Sequence, residues 1–310
     1  MGVDPADLNK LTTRDLRGRP SKVAAAAGAR PWRPGGSLRE FAASLPHLLA
    51  AEDLRAAAAA LAAASAAGRP VILGMGAHAI KVGLAPLIID AMDRGLVTAL
   101  AGNGAVVIHD VEMALVGRTS EDVAAALADG SFGTARQTGE FIFKAVERFG
   151  DQGLGRAVGL ALAETPGAAG SLLAAAAKRD LPATVHVALG TDIIHMHPGF
   201  DPAAMGAASH YDFRGLVSLV SGLSGGVYIN LGSAVIMPEV FLKALSAARN
   251  LAGPVKDFTT INLDMIAHYR PLTNVVNRPV LAGGRGINLI GHHEINLPLL
   301  LALAAEAAEG

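Results

Sequence analysis

From residue 70 onward, short apolar runs alternate with longer stretches whose apolar positions return every three to four residues. The runs "VILGM" (71–75), "LVTALAG" (96–102), "ATVHVAL" (183–189), "GVYINLG" (226–232), "FTTINLD" (258–264) and "GINLI" (286–290) are too short for helices and predict six strands. Between and after them the pattern predicts helices over about 79–94, 110–117, 119–128 and 294–307. The strand runs are apolar throughout rather than alternating, the signature of a sheet buried on both faces. Strand and helix in alternation predict an α/β fold with a mostly parallel sheet covered by helices. Residues 38–67 are helix-forming, with Ser37 as N-cap and a break at Pro46. Residues 1–37, with "RPWRPGG" at 30–36, predict an extended arm, and residues 38–310 a single domain.

Composition narrows the function classes. The formal net charge of the 310 residues is −1 and no basic block stands out, which argues against a nucleic-acid or anionic-membrane partner. With no cysteine, disulfides, zinc–thiolate sites and a cysteine nucleophile are excluded. No apolar stretch approaches the length of a membrane span, and the polar start "MGVDPADLNK" has no leader-like apolar region, so a cytoplasmic location is expected.

In open parallel sheets, ligands bind outside the carboxyl ends of the strands, and in this chain the polar residues gather there. The first strand is followed by Gly74, Gly76 and His78; the second by Gly102, Asn103, Gly104, His109, Asp110 and Glu112. The third leads to Asp192, His195 and His197, the fourth contains Asn230, and the fifth ends on Asp264. The sixth leads to His292, His293 and Glu294, and Arg285 lies between glycines just before it. "GMGAH" and "AGNGA" could admit a phosphate or ribose to the backbone, or they could simply make turns. Neither is the G-x-G-x-x-G fingerprint, because residues 79 and 107 are Ala and Val. His195 and His197 would share a face in a strand and could open a metal site with Asp192, His292 and His293. Each could equally be a histidine satisfied by the backbone. Lys81 and Lys243 fall on helices, where lysines are normally solvated, and no G-x-S-x-G elbow is present.

Several stretches, in order, resemble the deoxyhypusine synthase family: "LVTALAGNGAVVIHDVEMAL" (96–115), "ALGTDIIHMHPG" (188–199), "SGGVYINLGSA" (224–234) and "DFTTINLD" (257–264). The resemblance covers roughly residues 70–300 through short motifs. It implies a doubly wound, Rossmann-like fold, a homotetramer and NAD as cofactor, with Gly102 to Gly104 and Asp192 at cofactor-contacting positions. His109, Asp110 and Glu112 fall near the family's acidic residues. The family's catalytic lysine has no counterpart, since "MIAHYRPLTNVVNRPV" (265–280) contains no lysine. Without that amine an enzyme-bound imine cannot form, so aminobutyl transfer is not expected.

The expectation is therefore an NAD-dependent oxidoreductase or transferase, a homo-oligomer performing hydride transfer on a small amine or alcohol. His293, His109 or His195 would be the acid–base group. Gly74, Gly76, Gly102, Asn103, Gly104, Asp192 and Asp264 would contact the cofactor. Asp110, Glu112, His197, Asn230, Arg285, His292 and Glu294 would face the substrate. Two alternatives remain: a metal-dependent hydrolase built on His195, His197, His292 and His293, and a non-catalytic nucleotide-binding oligomer.

Overall fold

Six strands lie parallel in the order β3-β2-β1-β4-β5-β6. They are β1 (Val71–Met75), β2 (Ala99–Asn103), β3 (Ala183–His186), β4 (Val227–Leu231), β5 (Phe258–Asp264) and β6 (Gly284–Ile290). This is a computed structural model, and it describes residues 2–308. The chain winds outward from β1 to β3, returns to the middle at β4, and winds the other way to β6. That reversal makes the fold a doubly wound, Rossmann-like α/β sheet with its switch point between β1 and β4.

The strands are continuous apolar runs because helices cover both faces: every residue of β1 and β4 is buried. On one face Ile72, Leu216, Val220, Tyr228, Phe241 and Phe258 share a core. In it the Tyr228 and Phe241 rings stack 3.7 Å apart and within 6° of parallel.

Several expected boundaries move for local reasons. Leu96 and Val97 are buried, but both donate to the Ala91 carbonyl and close the helix before β2, so that strand begins only at Ala99. The helix expected over 79–94 divides into α3 (His78–Lys81) and α4 (Ala85–Asp93), separated by Gly83 at φ +78°. The helix expected near 110 starts at Gly104, with Asn103 capping it, and runs to Val116 as α5. The one expected over 119–128 contracts to α6 (Val123–Leu127). Further helices are α1 (Leu38–Ser44), α2 (Leu49–Ala66), α7 (Arg136–Phe149), α8 (Leu154–Ala163), α9 (Leu172–Lys178), α10 (Pro202–Ser221), α11 (Ile236–Ala252), the turn α12 (Tyr269–Pro271) and α13 (His293–Ala308). No helix among the described residues is long and apolar enough to cross a membrane.

The chain divides into two units, Met1–Glu52 and Asp53–Gly310, the second holding the whole sheet. In the first, three single 3-10 turns precede a helix over Leu38–Ser44, which starts with a capping box between Ser37 and Glu40. The Arg30 N–H donates to Ser44 and the His47 N–H to Ala27, tying the end of the extended segment to this helix.

Candidate functional site

Two groups of polar side chains stand at the carboxyl ends of the strands. The first straddles the switch point. The Gly76 N–H donates to Leu231 at 2.9 Å, drawing the ends of β1 and β4 together, and a Cβ on Gly76 would lie 2.6 Å from the Gly232 carbonyl oxygen. Only glycine permits that approach. His293, the first residue of α13, is buried against Gly232, and its ring meets His78 edge-on at 5.1 Å between centroids. Its Nε2–H donates to the Leu263 carbonyl at 3.3 Å, which leaves Nδ1 as a lone-pair acceptor, and that atom is buried without a partner. Burial, and secondarily the nearby His78, hold His293 below the usual histidine value, while Asp264, the Leu263 carbonyl and Glu294 oppose the shift. Asp264, at the end of β5, accepts from the Met265 N–H through Oδ1, and its Oδ2 is also buried and unpartnered. Below them Asn230, Asn262 and Asn288 form a ladder across three strands, with amide-to-amide distances of 2.8 Å at both rungs. Asn230 Oδ1 is left unpartnered.

The second group lies over β2 and β3. His109 on α5 and Glu112 one turn later are linked through Thr119. The hydroxyl of Thr119 donates to Glu112 Oε2, so it accepts from His109 Nδ1–H at 2.6 Å. The proton is thereby fixed on Nδ1 and the lone pair on Nε2. Thr138 holds the other Glu112 oxygen at 3.3 Å. Burial and the charge of Lys81 lower the His109 pKa against the opposing pull of Glu112. Lys81, His109 and Glu112, with Thr191 and Asp192, line a cavity of about 170 Å³. The Asp192 carboxylate covers the start of α5, where a Cβ on Gly104 would lie 2.0 Å from Oδ2. Burial raises the Asp192 pKa to about 6 and lowers that of His195. Their Oδ2 and Nε2 atoms, 3.8 Å apart, are both unpartnered.

The three histidines expected as acid–base groups thus differ in tautomer. His293 and His109 each present a buried or half-buried lone pair. His195 does not: its Nδ1 accepts from the Gly190 and Asp192 N–H groups, leaving Nε2–H as a donor only. It sits on a 3-10 turn, Ile193–Met196, rather than a strand, so His195 and His197 do not share a face. The His197 ring lies over Gly139 and donates through Nε2 to the Gly133 carbonyl at 2.6 Å. Among the described residues no three His, Asp or Glu side chains gather as metal ligands.

Other expected site residues are committed elsewhere. Asp110 is fully buried and accepts from Ser171 Oγ and from the Leu172 and Leu173 N–H groups, at the start of α9. Asn103 spends its side chain capping α5. Gly74 and Gly102 lie within β1 and β2, covered by Tyr228 and Val106. Arg285 stands at the amino end of β6, the wrong edge of the sheet, paired with Asp53 at 3.1 Å. His292 and Glu294 are exposed beside His293. Sequence reasoning missed Thr119 and set Lys81 aside. The spacing of His109 and Glu112, three apart and so neighbours on one helical face, was the available signal for this group.

No family model matches the chain, and no curated protein matches it. Solved structures do. ArgZ, an arginine dihydrolase from the ornithine–ammonia cycle in Cyanobacteria, superposes at TM-score 0.52 with 16% identity over 84% of this chain and 33% of that one. AgrE, in a ternary complex with ornithine and NAD+, does so at 0.52 with 13% identity, over 83% and 33%. A conserved protein assigned to the LOR/SDH group, from Methanococcus maripaludis S2, matches at 0.51 with 15% identity, over 96% and 76%. The chain thus spans about a third of the length of ArgZ and AgrE. At these identities the likeness is one of fold.

Proposed function

We propose that the protein binds a nicotinamide dinucleotide across the carboxyl ends of β1 and β4 and supports hydride transfer to or from a small amine or alcohol. One observation carries the reading. At the switch point, where ligands of doubly wound sheets bind, Asp264 Oδ2 and His293 Nδ1 are buried acceptors without partners. Buried polar atoms normally find a partner, and a ligand rich in hydroxyl and amide donors supplies one to each. At Asp264 Oδ2 the fit is with a ribose hydroxyl or the carboxamide of such a cofactor, and at His293 Nδ1 with the O–H or N–H of the substrate. Gly74, Gly76 and Gly104 face Tyr228, the Gly232 carbonyl and the Asp192 carboxylate, so they form no open cradle for its phosphates.

When bound, the nicotinamide supplies the hydride acceptor or donor. The chain's part is proton movement and orientation. Nδ1 of His293, with Nε2–H anchored on Leu263, takes the O–H or N–H proton as the carbon-bound hydrogen leaves. Asp264 would orient a cofactor hydroxyl. The deoxyhypusine synthase resemblance and the NAD+ complex of AgrE support the choice of cofactor. The missing lysine supports hydride transfer without aminobutyl transfer. On the same resemblance, the working form is a homo-oligomer. Calorimetric titration with NAD+ tests the reading: wild-type protein binds saturably, and Asp264→Asn weakens binding about tenfold, as expected for one hydrogen bond to a charged group. Absence of binding to the wild type overturns it.

A further inference from the structure

The cavity over β2 and β3 contains none of the switch-point residues and has its own chemistry. Three features define what it can hold. His109 Nε2 can only accept a hydrogen bond, because the Glu112–Thr119 relay holds the ring proton on Nδ1. Lys81 can only donate, and it brings a positive charge to the same cavity. Asp192 lines the wall with a side chain 8% exposed and with Oδ2 unpartnered. A ligand must therefore carry an anionic acceptor at one end and a proton donor at the other. At about 170 Å³ the space is well below that of drug-sized pockets and admits a molecule of a few carbons.

We propose that this cavity binds a small hydroxy- or amino-carboxylate, its carboxylate against Lys81 and its hydroxyl or ammonium donating to His109 Nε2. Thr119, which lies outside the cavity lining, and Glu112 are positioning residues: together they decide which ring nitrogen of His109 faces the ligand. The charged groups around His109 are Lys81 from α3, Glu112 from its own helix, Glu121 from the following loop and Asp192 from beyond β3. The three carboxylates outweigh the one lysine, so at the donor end an ammonium, which offsets the ligand's own carboxylate, is favoured over a hydroxyl. The proposal does not rest on dinucleotide binding.

The test is calorimetry without NAD, using L-lactate and L-alanine as probes. Propionate, which lacks the donor, and lactamide, which lacks the carboxylate, are the controls. Lactate or alanine is expected to bind about tenfold or more tightly than either control, the value of one charge-assisted hydrogen bond. Whichever of the two binds better identifies the donor as hydroxyl or ammonium. Lys81→Met, an exposed position, is expected to remove the preference for lactate over lactamide. Nitrogen-15 spectra of the His109 ring are expected to show Nδ1 protonated in the wild type and in Thr119→Ser. In Thr119→Val that fixed tautomer is lost. Controls binding as tightly as the probes, no binding of either probe, or an unchanged tautomer in Thr119→Val would each overturn the proposal. A protein that binds these acids but not NAD+ refutes the dinucleotide reading alone; one that binds only NAD+ refutes this one.

Discussion

Asp110→Asn separates a structural aspartate from a ligand-binding one. The Asp110 carboxylate receives three donors, Ser171 Oγ at 2.7 Å, Leu172 N at 2.9 Å and Leu173 N at 3.0 Å, in a site with no solvent exposure. Ser171 Oγ in turn accepts from the Ala174 N–H at 3.0 Å, so the carboxylate anchors the whole first turn of α9. Asparagine has the same size but only one acceptor oxygen, and its amide N–H₂ faces donors. At least one N–H or O–H is left unsatisfied in the interior and the remaining bonds lose their charge assistance. Hydrogen bonds to charged groups contribute about 1.5–3 kcal/mol each, and non-additivity brings the total to about 3–5 kcal/mol. For a unit of this size that lowers Tm by about 10 °C. Urea denaturation at pH 7, followed by circular dichroism, reads the change as a lower midpoint with an unchanged slope. A loss below about 1 kcal/mol, or impaired ligand binding with stability intact, would refute the reasoning.

His186, buried in β3 with Nε2 3.0 Å from Thr184 Oγ1, is held by desolvation at a pKa of about 4 instead of 6.5. Its folded pKa is depressed, so its contribution is fully present above about pH 6.5 and is lost as pH falls toward 4. Removing it in His186→Gln should cancel about 3 kcal/mol of that acid loss. The measurement is the difference between wild-type and variant profiles, since Asp212, raised to about 7 by burial, pulls the other way: its contribution is present at low pH and lost as pH rises through 7. A difference that stays flat between pH 7 and 4 contradicts this. Gly74→Ala would place a Cβ 2.2 Å from the hydroxyl of Tyr228, whose ring is pinned against Phe241, at a cost of about 1–3 kcal/mol in chemical denaturation. Tyr228→Phe removes a buried hydroxyl that has no partner, so it should leave stability unchanged or raise it by about 1 kcal/mol; a clear loss would show that the hydroxyl is bonded.

What the sequence made legible was the set of strands, because a parallel sheet buried on both faces writes each strand as an uninterrupted apolar run. All six runs became strands, and Asp264 and His293 stand at the ends where the pattern put them. What it hid was direction and pairing. Asp110 looked like one of a polar group, yet Val106, Val107, Asp110, Val111 and Ala114 are spaced as one helical face, and that face is buried. The start of α5 at Gly104, six residues earlier than expected, decided which way Asp110 points. Arg285 reads as an anion-binding residue from its glycine-rich setting alone, but a residue at the start of the last parallel strand lies at the amino edge of the sheet, opposite the ligand edge. The tautomers that separate His293 and His109 from His195 depend on Leu263, Thr119 and the N–H groups of Gly190 and Asp192, and no spacing along the chain encodes them.

The central claim is that the crest between β1 and β4 holds a nicotinamide dinucleotide with His293 at its reacting end. A crystal structure determined after soaking in NAD+ tests it most directly. The account predicts cofactor density across that crest, with a ribose hydroxyl or the carboxamide within hydrogen-bond distance of Asp264 Oδ2 and the nicotinamide ring beside His293. Density elsewhere, with Asp264 Oδ2 still unpartnered, would contradict it.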